Sequence, residues 1–290
     1  MEKKIASSWW RAGFHFTFGF GAMFFAQILR FDEDESVRIA EQICFWAFTA
    51  DVVRVVLHRI LWWEPVVRFF QWKPKWSGFW ILVSVLFVIL RSINWFLLFF
   101  EKWVLHWTHI IRDHEKELLS ALTPFALGVL LPLWWGIPLS AVMLGVVILG
   151  FGDPIAREWA KAVAKARADG MDEVEIRKVF TGGKKTWTGY RGFCASAGIG
   201  VFISSALDLS GWKVFPEIHH FFFLIAFPLG VVVGGYAELA QEWIHMHIAV
   251  KIRMPRLRWL FEFLMDDNLL VPIGASVPIG IVFLIGQAVS

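Results

Sequence analysis

The sequence predicts an all-α, polytopic integral membrane bundle of about seven spans, forming a single domain over residues 1–290. Three observations predict it. The chain is 57% hydrophobic, with 18 Trp and 29 Phe among its 290 residues, whereas an ordinary soluble domain is about 45–50% apolar. Its mean hydropathy is +0.58. The apolar residues are gathered into long runs separated by short charged stretches, which is the pattern of repeated membrane crossings.

The runs follow in order at residues 12–29, 39–57, 119–135, 138–151, 192–208, 218–237 and 269–288. A span needs roughly 20 apolar residues, fewer when the helix is short. A further apolar tract, 76–105, is interrupted by Arg91, Ser92 and Asn94. It is too short for two full crossings, and its Trp content suits an interfacial or re-entrant element. No removable signal peptide is legible at the N-terminus. The two cysteines, Cys44 and Cys194, lie in apolar runs and read as small core residues.

Charge distribution orients the chain. Lys and Arg concentrate at 157–191 and at 251–258, and short basic loops stay cytoplasmic. The two runs between these loops then form an out-and-back hairpin, and "WWGIP" (residues 134–138) becomes an outer turn. On this topology the ionisable residues near span ends gather on the cytoplasmic side: Arg11, His15, Asp51, Arg54, Glu115, Glu117, Asp153, Glu238, Glu242, Asp266 and Asp267. A charge in hydrocarbon costs ~2.5–3.5 kcal/mol on insertion scales. Several converging on one side therefore imply a polar cavity open to the cytoplasm. A transporter or channel would need polar residues through mid-membrane, and these runs are mostly clean.

Four stretches carry candidate chemistry. In "GFGDPIAREW" the run 138–151 covers only ~21 Å of a ~30 Å core, so Asp153 is drawn below the interface. Pro154 suits a first helical position with Asp153 as N-cap, and a new helix is expected to start there. In "TGGKKTWTG", Gly182 and Gly183 free backbone N–H groups to turn toward an anion beside Lys184 and Lys185, with Thr186 and Gly189 following. The spacing is not that of a P-loop. In "AELAQEWIHMH", Glu238, Glu242 and His245 share one helical face. A di-iron site would need a second Glu-x-x-His, so an oxygen ligand for Mg2+ is the better reading. His245 and His247 read as interfacial side chains. In "MDDNLLVP", Asp266, Asp267 and Asn268 stand before the final run, placed to cap a helix, hold metal, or both. The basic, aromatic segment at about 243–264 reads as an interfacial helix near anionic headgroups.

This series resembles the CTP-dependent lipid kinases, the family of dolichol kinase, phytol kinase and CTP-dependent diacylglycerol kinase, related to the phosphatidate cytidylyltransferases. The order is "GDP" after a span, "KKTWTG" before the next, a Glu in the following inner helix, then "DDNLLVP". In the N-terminal half "RAGFH" (11–15), "DVVR" (51–54) and "EKELLSALTPFALG" (115–128) are similar to the family's earlier motifs. Residues 57–112 and the loop 154–183 are longer than the family pattern. The ending is unlike that of the cytidylyltransferases, which tips the resemblance toward the kinases.

The resemblance implies phosphoryl transfer from CTP to a membrane lipid alcohol, a polyprenol, a phytol-like alcohol or diacylglycerol, at the cytoplasmic face. In that expectation Lys184 and Lys185, with Gly182 and Gly183, hold phosphates, and Thr186 and Gly189 complete the nucleotide site. Asp153, Glu238 and Asp267 hold Mg2+. Asp266 orients or deprotonates the lipid hydroxyl, and Arg11, His15, Asp51, Arg54, Glu115, Glu242 and Asn268 line the rest of the cavity. The expected partners are the lipid alcohol and the nucleotide, with no nucleic acid; a homo-oligomer is compatible. The alternatives are phosphatidate cytidylyltransferase activity, a transporter, and last a purely structural scaffold.

Overall fold

A computed structural model describes residues 33–61, 92, 122–168, 179, 185–207 and 220–289. By its internal contacts the chain divides into two compact units, Met1–Ala47 with Ala121–Ser290, and Phe48–Ser120. The described residues are helical, without strands. Helix α1 (Glu33–Leu61) begins in the first unit and ends in the second. The first unit continues with α2 (Leu122–Trp134), α3 (Leu139–Ala168), α4 (Trp187–Leu207), α5 (His220–His247), a 3-10 turn (Ala249–Lys251), α6 (Pro255–Leu264) and α7 (Asp267–Val289). Among the described residues of the second unit are the end of α1 and Ser92. The tract 76–105 otherwise lies outside the described residues.

Among the described residues, three helical segments are long and apolar enough to cross a membrane: Leu139–Trp159, Phe221–Lys251 and Asp267–Val289. Helix α2 is a shorter apolar helix. The chain is therefore compatible with an integral membrane protein. Large apolar side chains stand exposed on the helices of this unit, Phe202 of α4 at 73% and Leu224 of α5 at 71%. In water such surface would drive association; against acyl chains it needs no cover.

Helix α7 packs against α5, α3 and α2, while α3 packs against α4 and α4 against α5. The core between them is made of Val142, Ile148, Phe193, Val271, Ile279 and Phe283, each with essentially no exposure. Hydroxyls inside this apolar core are satisfied by their own helix: Ser196 Oγ donates to the carbonyl of Gly192 at 2.7 Å and Ser204 Oγ to that of Gly200 at 2.9 Å, the i−4 bonding expected where no water competes. Prolines 132, 228, 272 and 278 lie inside helices, which spanning helices tolerate when neighbours cover the freed carbonyls.

The turn at "WWGIP" closes as a Schellman motif. Gly136 N–H donates to the carbonyl of Leu133 at 3.0 Å, and Ile137 N–H to that of Pro132 at 3.0 Å. Gly136 takes φ of +74°, which costs a side-chain-bearing residue because Cβ meets the following carbonyl.

The structure corrects one expectation. No new helix starts at Pro154: α3 runs unbroken from Leu139 to Ala168 with Pro154 inside it, so Asp153 is not an N-cap. Proline disfavours this position, since it removes an N–H and crowds the carbonyl four residues back. Packing outweighs that cost. Pro154 is buried, and Gly152 lets the Phe193 ring lie directly on the α3 backbone: a Cβ at 152 would sit 2.3 Å from Phe193 Cε2. The apolar part of α3 accordingly extends past Asp153 to Trp159.

Candidate functional site

The continuous α3 creates the first part of the site. With Asp153 and Arg157 four residues apart on one helix, their side chains meet. Arg157 Nη2 donates to Asp153 Oδ1 at 3.0 Å and to Oδ2 at 2.9 Å. Asp153 is buried, and an ionised carboxylate there would cost several kcal/mol without such a partner.

The second part joins the α4 approach to α5. Lys185 Nζ lies 3.0 Å from Glu238 Oε1 and donates to the Glu238 main-chain carbonyl at 2.6 Å. The backbone N–H of the same lysine donates to Glu242 Oε1 and Oε2, both at 3.1 Å. One turn of α5 thus grips Lys185 from two sides, Glu238 by its head and Glu242 by its main chain. Val179 N–H donates to the Lys185 carbonyl at 3.1 Å. Thr186 then starts α4: its Oγ1 accepts from Gly189 N–H at 3.0 Å and its carbonyl from Tyr190 N–H at 3.0 Å. Thr186 and Gly189, two of the six residues expected at the nucleotide site, are therefore engaged with each other, Thr186 as the N-cap of α4 and Gly189 as its backbone donor.

The third part is the start of α7. Asp266 is its N-cap, Oδ1 accepting from Asn268 N–H at 2.9 Å while its carbonyl accepts from Leu270 N–H at 2.9 Å. Asn268 Nδ2 ties the two acids together, donating to Asp266 Oδ1 at 2.6 Å and Asp267 Oδ1 at 3.0 Å. Asn268 is 2% exposed, so this amide fixes both acids from beneath.

Electrostatics link the three parts. Glu238 lies in the Coulombic field of Lys185, Asp153 and Asp267, and Arg157 in that of Asp153, Asp267 and Glu238. Carboxylates from α3, α5 and α7 thus share one neighbourhood with the cations Arg157 and Lys185. The oxygen donors suit a hard divalent cation. Among the described residues, no three His, Cys, Asp or Glu side chains are arranged to hold a metal ion; Asp153 and Glu238 turn to Arg157 and Lys185 instead.

Of the sequence-predicted residues, Asp153, Lys185, Glu238, Glu242, Asp266, Asp267 and Asn268 fall into these linked parts. Asp51 is buried at 4% in the second unit. Arg11, His15, Glu115, Glu117, Gly182, Gly183, Lys184 and the Arg54 side chain lie outside the described residues. His245 and His247 are exposed; His247 stacks on Trp243 with ring centroids 5.0 Å apart. Sequence reasoning missed Arg157 as a site residue. Its signal was the i, i+4 spacing from Asp153, hidden by reading a helix boundary between them.

No known protein family matches the chain, and no curated protein or solved structure is significantly similar to it.

Proposed function

We propose that the chain is a CTP-dependent kinase of a membrane lipid alcohol, working at the cytoplasmic ends of about seven spans. One observation supports this reading above the rest. Asp153, Lys185, Glu238 and Asp267, which the motif series names from four separate stretches, share a single electrostatic neighbourhood.

In this reading Arg157 and Lys185 are the cations for a triphosphate, exchanging a carboxylate for phosphate oxygens of higher charge. Glu242 holds the Lys185 main chain in place while they do so. Asp153, Glu238 and Asp267 would come to hold Mg2+ only once the phosphates have drawn Arg157 and Lys185 away from Asp153 and Glu238, and the ion would then supply charge neutralisation of the phosphates. Asp266 or Asp267, fixed by Asn268, accepts the proton of the lipid hydroxyl. Phosphoryl transfer asks mainly for positioning and charge, and little covalent chemistry.

The test offers CTP and ATP, each radiolabelled at the γ-phosphate, to the reconstituted protein with a panel of polyprenols, phytol-like alcohols and diacylglycerols. The expected result is CDP and a labelled lipid phosphate. Release of pyrophosphate with a CDP-lipid would identify a cytidylyltransferase. Ion or anion flux without nucleotide consumption would identify a transporter.

A further inference from the structure

We propose that α6 is a membrane-surface helix that binds an anionic phospholipid bilayer, and that this contact sets the position of the adjoining Asp266 and Asp267. The second half of the proposal rests on the kinase reading; the first does not.

The inference starts from which way α6 faces. Leu257, Leu260 and Leu264 are spaced i, i+3, i+7, hence on one face, and they are 50%, 44% and 42% exposed. A different face carries Arg258 and Glu262, paired at 2.9 Å. Glu262 also approaches His245 of α5 at 3.5 Å. The polar side is thus turned to the end of α5, and the leucines are turned away from it.

Two observations name the occupant of the leucine face. It is continuous with membrane-spanning structure, since α5 ends at His247 and α7 begins at Asp267, both helices being long and apolar enough to cross a bilayer. It is also flanked by exposed Lys251 and Arg253. A helix with leucines on one side and basic residues beside them lies in the headgroup plane, its apolar face dipped into the acyl boundary. Each lysine or arginine near the surface favours anionic lipid.

The link to the acids is covalent and short. Helix α6 ends at Leu264, Met265 N–H donates to the Phe261 carbonyl at 3.0 Å, and Asp266 N–H donates to the Phe263 carbonyl at 3.3 Å. One residue, Met265, therefore separates the last lipid-facing leucine from the α7 N-cap, with no slack to absorb a shift of α6.

The experiment uses the full chain with Cys44→Ala and Cys194→Ala, a single Leu260→Cys carrying an environment-sensitive fluorophore, and reconstitution into phosphatidylcholine vesicles with or without phosphatidylglycerol. The expected result is quenching about twofold stronger by a lipid nitroxide near the glycerol than by one near the chain end. Lys251→Glu with Arg253→Glu is expected to weaken the preference for phosphatidylglycerol vesicles about tenfold. Quenching by aqueous iodide, with neither lipid nitroxide effective, overturns the bilayer contact. In the same vesicles, CTP consumption by the chain without the fluorophore is expected to fall severalfold when phosphatidylglycerol is omitted. An unchanged rate overturns the coupling to Asp266 and Asp267 while leaving the contact standing. Absence of CTP consumption from every form defeats the kinase reading and the coupling together, and the quenching result still decides the contact.

Discussion

Lys185 and Glu238 hold each other at two points, the ammonium lying 3.0 Å from Glu238 Oε1 and donating to its main-chain carbonyl at 2.6 Å. Lys185→Ala leaves the Glu238 carboxylate buried beside Asp153 and Asp267 without its cation. The expected loss is about 3 kcal/mol, the low end for a broken buried pair. Adding Glu238→Gln should restore most of that stability and none of the CTP-dependent turnover. Thermal unfolding in detergent and product formation read the two effects separately.

Asp153→Asn removes the charge that orders Arg157 while keeping the side-chain shape. The expected outcome is loss of phosphorylation with little change in unfolding temperature. Arg157→Lys keeps a cation but loses the planar, multi-donor guanidinium and does not place its single nitrogen where Nη2 lies. It should reduce turnover by about tenfold or more, the loss expected when a positioning group is displaced by an ångström. Full activity in either variant would remove that residue from the site.

Gly152→Ala places a methyl where the Phe193 ring already lies, 2.3 Å from Cε2. Phe193 has no exposure, so its ring can yield only by displacing its neighbours in the core. A destabilisation of about 1–3 kcal/mol is expected from overpacking. Gly152→Ala combined with Phe193→Leu should recover part of it, measured by the same unfolding assay.

Gly136→Ala tests the α2–α3 turn by backbone alone, because no atom lies within 4 Å of the added methyl. The positive φ should cost about 1–2 kcal/mol. Gly136→Asn should cost less, since asparagine tolerates that conformation better. Equal stability of all three would show that the turn does not need the left-handed residue.

Asn268→Asp replaces the amide that donates to Asp266 and Asp267 with a third carboxylate in the same buried place. It should be more damaging than Asn268→Ala, to both stability and turnover, because repulsion is added to the loss of two hydrogen bonds. The ranking of the two variants by unfolding temperature is the measurement; the reverse order would exclude a role for Asn268 in holding the acids.

Several of these features were legible in the chain. The α2–α3 turn was legible in "WWGIP" between two apolar runs, and helix capping was one of the roles open to Asp-Asp-Asn before the last run. The acids of the site were also visible, because an ionisable residue at the edge of an apolar run stands out against its cost in hydrocarbon. The reading failed at Pro154. Proline is a weak stop where a helix is buried against its neighbours, and the packing of Phe193 on Gly152 lies 41 residues away in the chain. Losing that helix also lost Arg157, whose partner four residues earlier had been placed across a boundary.

What the sequence determines by itself is local: apolar runs of spanning length, turns, caps, and which stretches carry charge. These depend on residues within a turn or two of each other. The tertiary structure alone decides that Lys185 meets Glu238 and Glu242, 53 and 57 residues further on, and that Asp267 shares their field. Such pairings are set by which helix packs on which, and helix packing is chosen by the fit of whole faces rather than by any short pattern.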